Sequence, residues 1–122
     1  LNRYRWNHKN ITEKLKNLKS KQSIFYKNIT NLLEIRRKQK AFHPNGTRSS
    51  VSMGSKIFCF KRQSVDKKQT ILCITNLSSK VQKTKINHKF LTWKNLLSYN
   101  NNHISNKMIK LEPFETVWLS NR

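Results

Sequence analysis

Leu32–Gly46, LLEIRRKQKAFHPNG, is the stretch on which the reading of the fold turns. Apolar Leu32, Leu33 and Ile35 stand beside the basic run Arg36, Arg37, Lys38 and Lys40. That pattern is a helix end, with cations suited to the negative pole of the helix dipole. Pro44 disfavours helix at His43. Asn45-Gly46 supplies two residues that tolerate positive φ, so the chain is expected to leave the helix through a fixed turn. Upstream, Ile24, Phe25, Ile29, Leu32, Leu33 and Arg36 follow a 3.6-residue period, which predicts a helix over 21–40 with Ser20 or Ser23 as its N-cap. Further back, Ile11, Leu15 and Leu18 fall on one side of a shorter helix, with Asn10 or Thr12 as cap.

After His43 the period changes to two. Val51 and Met53 alternate with serines. Lys56–Gln63 (KIFCFKRQ) and Thr70–Leu77 (TILCITNL) are rich in β-branched and aromatic residues and read as strands. Their near-continuous apolar centres predict burial on both faces, or one face on the core and one on another domain. The intervening Ser64–Lys68 is a hairpin loop; a hairpin centred on Asp66 would set Cys59 opposite Cys73. Either that pair is bridged or both are buried, reduced thiols. Lys80–Ile86 alternates polar residues as an exposed edge strand does, with lysines that discourage edge association. Trp93–Ser98, Lys107–Leu111 and Phe114–Ser120 are further strands, with Phe114, Thr116 and Trp118 on one face, and Asn100–His103 is a loop. The fold class is therefore α+β, mostly β: one or two N-terminal helices, then an antiparallel sandwich-like domain. The expected boundary separates 1–43 from 44–122.

The chain has 122 residues, 26 Lys+Arg against 5 Asp+Glu, and a formal charge of +21. Such a balance raises nucleic acid or another acidic partner as a binding target. Yet Lys makes up 19 of the 26, with 15 Asn and 10 Ile beside it, the residues that A/T-rich codons favour. The lysines are spread along the sequence, and Arg, the better phosphate fork, numbers seven. No apolar run approaches the ~20 residues of a membrane helix. No leader is visible, and the first residue is Leu, as in a fragment or processed product. His8, His43, His88 and His103 lack metal spacing, the two glycines form no phosphate loop, and no cofactor is expected.

Six short motifs in order carry a family resemblance. Leu1-Asn2-Arg3 is similar to an "I-N-R"; 32–46 resembles a helix end followed by "A-F-H-P-N". Gly54–Phe60 with Arg62 resembles "G-x-x-V-F-x-x-x-R", and Ile71–Ser78 a strand "V-L-x-x-x-N-L/V-T/S". Trp93–Ser98 resembles "W-x-D-L-L-S" with Asn95 in place of Asp, and Leu111–Leu119 "L-x-P-Y-x-x-x-W-L". These belong to the C-terminal region of sucrose-phosphorylase-like enzymes of the α-amylase superfamily. The resemblance implies that 1–43 closes a (β/α)8 barrel lying outside this chain, and that 44–122 is the terminal β-domain.

In that family a barrel moves a glucosyl group from an α-glucoside to phosphate or water, with retention, in the cytoplasm. Retention needs paired carboxylates about 5 Å apart. None of Glu13, Glu34, Asp66, Glu112 and Glu115 matches a catalytic motif, so salt bridging or capping is their expected role. Arg3 would fall near the substrate, at or beyond the last barrel loop, unless it serves a structural salt bridge. His43 is expected to fix the exit turn by a hydrogen bond, and Trp118 to pack in the core. Two other classes stay open: a basic module for nucleic acid or an acidic partner, and a carbohydrate-binding sandwich using Trp6, Trp93 and Tyr99.

Overall fold

The computed structural model describes residues 5–98 and 104–122. The chain divides into two compact units, Leu1–Arg36 and Arg37–Arg122.

The first unit is helical. Helix α1, His8–Lys16, starts one turn earlier than the sequence suggests. Its cap is Asn7, whose Oδ1 accepts the Lys9 N–H at 2.9 Å. Asn10 and Thr12 lie inside the helix, and the Thr12 hydroxyl donates back to the His8 carbonyl. Helix α2, Lys21–Arg37, is capped by Ser20, whose Oγ accepts the Ser23 N–H at 3.0 Å. It stops three residues short of Lys40, because Gln39 is already extended. Ile24, Phe25, Tyr26, Ile29 and Leu33 of α2 are exposed.

Among its described residues the second unit holds eight short strands: β1 Thr47–Ser50, β2 Ile57–Gln63, β3 Thr70–Asn76, β4 Gln82–Lys85, β5 Lys94–Asn95, β6 Ile104–Ser105, β7 Met108–Leu111 and β8 Thr116–Ser120. They form a five-stranded sheet in the order β1-β2-β3-β8-β5 and a three-stranded sheet β4-β7-β6, with every pair antiparallel. The α+β, mostly β reading holds. Ile57, Cys59, Leu72, Ile74, Val117 and Leu119 of the large sheet pack with Ile109 and Leu111 of the small one, joined by Ile86 and Phe90. The opposite face of the large sheet carries a second cluster: Ile71 and Cys73 with Ala41, lined by Phe42, Phe60, Leu96 and Trp118. Strand β3 is thus apolar on both faces, as its unbroken apolar run predicts. β4 is an edge strand, and its Lys83 and Lys85 face solvent.

Four details depart from the sequence reading. The β2–β3 pairing sets Cys59 opposite Ile74 and Cys73 opposite Phe60. The loop has six residues closed by the Ser64 N–H on the Gln69 carbonyl, so its centre lies between Asp66 and Lys67. A one-residue shift sends the two thiols to opposite faces, and both are free. The Trp93–Ser98 strand shrinks to β5, because the Asn95 side chain takes over the pairing: its Oδ1 accepts the N–H groups of Leu97 and Trp118, each at 3.1 Å. The last strand begins at Thr116, since Phe114 sits in a turn at φ 57° and is exposed. Phe114 therefore does not share a strand face with Thr116 and Trp118. Finally, Asn106 and Lys107 both take positive φ, 49° and 60°, and make the two-residue turn that joins β6 to β7. The Asn100–His103 loop expected from the sequence lies outside the described residues.

Burial pushes both thiols up to about 12, with Cys59 adding a further upward push on Cys73. Almost no thiolate then exists in the native chain, so neither cysteine should react with an aromatic disulfide reagent at about pH 8, and both should react in denaturant. Rapid native labelling of either would contradict this burial.

Candidate functional site

Among the described residues, the exit 38–46 gathers Arg62, Gln69 and Asp66 around itself. Beyond α2 the chain makes a short 3-10 turn, Lys40–Phe42, and lies against β2 and the β2–β3 loop. Ala41 is fully buried against Ile71 and Cys73 in the second core cluster. Burying it strands backbone polar groups, and each finds a partner. The Ala41 N–H donates to Gln69 Oε1 at 3.0 Å. Arg62 spans two carbonyls, with Nε donating to Ala41 O at 3.1 Å and Nη2 to His43 O at 2.6 Å. Gln69 Nε2 donates to Gln39 Oε1 at 2.7 Å. Phe42 packs on Trp118 of β8, ring centres 4.7 Å apart and tilted 55°.

The turn itself is built differently from the sequence expectation. Neither Asn45 nor Gly46 takes positive φ. Gly46 is needed for close approach instead: a Cβ there would lie 2.7 Å from the Gln63 carbonyl oxygen and 3.1 Å from those of Ala41 and His43. Its N–H donates to His43 O at 2.9 Å, while His43 Nδ1 accepts the Asn45 N–H at 3.2 Å. Gly46→Ala is accordingly expected to cost about 2 kcal/mol, because three backbone oxygens must give way. Urea unfolding measures it, and an unchanged midpoint would contradict the close approach.

An open cavity of about 490 Å³ lies beside this turn, lined by Lys40, His43, Asn45, Ser64, Val65 and Asp66. The Asp66 carboxyl is held below its usual range, first by the Ser64 hydroxyl at 2.6 Å and then by the Lys68 N–H at 3.1 Å; Lys40 lies 3.7 Å away. The remaining acids of this unit are equally engaged. Glu115 Oε2 accepts the Glu112 N–H, and Glu112 pairs with Lys110. Glu13 lies on α1 and Glu34 on α2. Asp66, Glu112 and Glu115 thus serve turns and surface pairs, and no cluster of His, Cys, Asp or Glu fit for a metal occurs among the described residues.

Of the residues picked out from sequence, His43 lies within the exit turn, where it accepts the Asn45 N–H, and Trp118 packs on Phe42. Arg3 lies outside the described residues, as does Tyr99. Trp93 meets Phe90 edge-on, ring centres 4.6 Å apart, and Trp6 belongs to the helical unit with Lys14 over its ring. Sequence reading missed the clamp roles of Arg62 and Gln69, and that of Asn76 at the far end of β3. No described helix is long and apolar enough to cross a membrane.

No protein-family model matches the chain. Glucosylglycerate phosphorylase of Spirochaeta thermophila is 28% identical over 78 residues, a stretch covering 64% of this chain and 13% of that protein. Among solved structures, trehalulose synthase of Pseudomonas mesoacidophila matches 89% of this chain with a TM-score of 0.64 at 15% identity, using 19% of its own length. Trehalose-6-phosphate hydrolase of Bacillus licheniformis matches 89% with a TM-score of 0.62 at 19% identity, using 20%. An α-glucosyl transfer enzyme matches 91% with a TM-score of 0.67 at 14% identity, using 19%. The chain spans about a fifth of the length of each of these structures.

Proposed function

We propose that this chain, whose sequence and fold are those of the C-terminal portion of an α-amylase-superfamily enzyme, is the non-catalytic part that supports a glucosyl-transferring barrel. The observation that carries the reading is the joint of two findings. The matched length is a fifth or less of each relative named above, and the carboxylates of the β unit are spent on turns and surface pairs. The reaction we assign to the whole is transfer of a glucosyl group from an α-glucoside to phosphate, since the matched curated relative is a phosphorylase. The barrel would be supplied by the same chain or by a separate one. Residues 1–43 would contribute its last helices, and Arg3 would approach the substrate. The exposed apolar side chains of α2 are then the surface that such a barrel buries. Free Cys59 and Cys73 suit a reducing, cytoplasmic setting.

A chimera tests the supporting role. Residues 37–122 are grafted in place of the corresponding segment of the Spirochaeta phosphorylase, beside a deletion of that segment. Phosphorolysis and a cooperative Tm well above those of the deletion are expected. A graft as inactive and unstable as the deletion would contradict it.

A further inference from the structure

We propose that a cationic cleft beside the exit segment is an oxyanion site for a phosphate group, independent of the barrel's chemistry. The cleft, about 190 Å³, is lined by Lys38, Lys40, Lys68 and Arg122 with Asp66 and Gln69. Four cationic side chains against the Asp66 carboxylate leave a side-chain surplus of three positive charges. They come from three segments far apart in sequence: the exit, the β2–β3 loop and the end of β8. Drift toward lysine spreads charge over a surface but does not tie the backbones that carry it. Here they are tied. Gln39, between Lys38 and Lys40, accepts from Gln69 Nε2. The Asn121 side chain, beside Arg122, donates to Lys68 O at 3.3 Å and accepts the Thr70 N–H at 2.8 Å. The Arg122 N–H rests on Ser120 Oγ.

The Asp66 carboxylate offsets only one of these charges. Asp66 spends itself on Ser64 and Lys68 N, and its contact with Lys40 is long and solvent-facing. A multiply charged tetrahedral oxyanion matches the convergence, because the Arg122 guanidinium can fork onto two of its oxygens while lysine ammoniums take the others. The shared chemistry is a phosphoryl group, free or on a larger molecule.

The test is a titration of the 122-residue chain with inorganic phosphate at constant ionic strength, followed by amide NMR. Saturable shifts centred on Lys40, Lys68, Gln69 and Asn121 are expected. The double variant K68Q/R122Q should weaken binding about tenfold, whereas K83Q/K85Q, with the same charge change on β4, should stay within roughly twofold. Equal weakening in both variants, or unsaturable shifts spread over all lysine amides, would overturn the site. Methyl phosphate distinguishes the source: retained affinity assigns the site to a phosphoryl group on a larger ligand, lost affinity to the free ion. Circular dichroism of both variants checks that the fold is kept.

Discussion

Asn76→Ala is expected to lower the stability of the β unit by about 3–4 kcal/mol, the largest single loss anticipated for a polar residue here. Asn76 ends β3 and is fully buried. Its Nδ2 donates to Lys80 O at 2.8 Å and Glu112 O at 2.9 Å; its Oδ1 accepts the Ser78 N–H at 2.9 Å and the Ser78 hydroxyl at 2.8 Å. Its backbone N–H donates to Glu115 O. One amide thus ties the large sheet to the segments flanking both β4 and β7 of the small sheet. Truncation takes the shared partner from two carbonyls and an amide, all part-buried, and leaves a small void as well. Thermal unfolding should show a Tm lower on the order of 15 °C. Asn76→Asp is expected to fare poorly at neutral pH, because its second oxygen would face two carbonyls. Protonation removes that repulsion, so the Asp variant's folded-state pKa is raised and its stability should recover as pH falls. A variant within about 1 kcal/mol of the parent would show that Asn76 is not the tie between the sheets.

Arg62→Ala is expected to cost about 2–3 kcal/mol and, more tellingly, to release the exit segment locally. The guanidinium holds Ala41 O and His43 O of the exit segment at once. Hydrogen exchange should quicken at the Ala41 and Gly46 amides well before that of β3. Arg62→Lys keeps the charge but cannot span both carbonyls with one planar fork, so it should recover less than half of the loss. Uniform destabilisation with no preference for 38–46 would argue against the clamp.

Legibility from the sequence followed the length scale of each signal. The long helix, its Ser20 cap and the two central strands were readable because burial imposes period and composition over many residues. β4 was readable as an edge, since lysines on alternate positions suit one solvated face. What failed turned on single residues. Asn7 displaced Asn10 and Thr12 as a cap, because three polar candidates lie within six positions and only geometry chooses. The cysteine pairing failed by one residue, since a loop of five and one of six look alike in sequence yet flip every side chain. Asn95 replaced backbone pairing with a side chain, and Phe114 took a left-handed turn that an aromatic residue seldom occupies. Gly46 was marked as special for the wrong reason: crowding by three carbonyls, not φ, requires it. The clamps of Arg62 and Gln69 carry no local pattern, because an arginine on a strand and a glutamine in a loop look like ordinary surface until the exit segment lies across them.

The most direct test of the barrel-support reading is to sequence the gene immediately upstream of the Leu1 codon. The expected result is coding sequence for a (β/α)8 barrel, in frame or as an adjoining gene, carrying an Asp nucleophile, a Glu acid/base and a second Asp. Upstream sequence encoding no such barrel would contradict it.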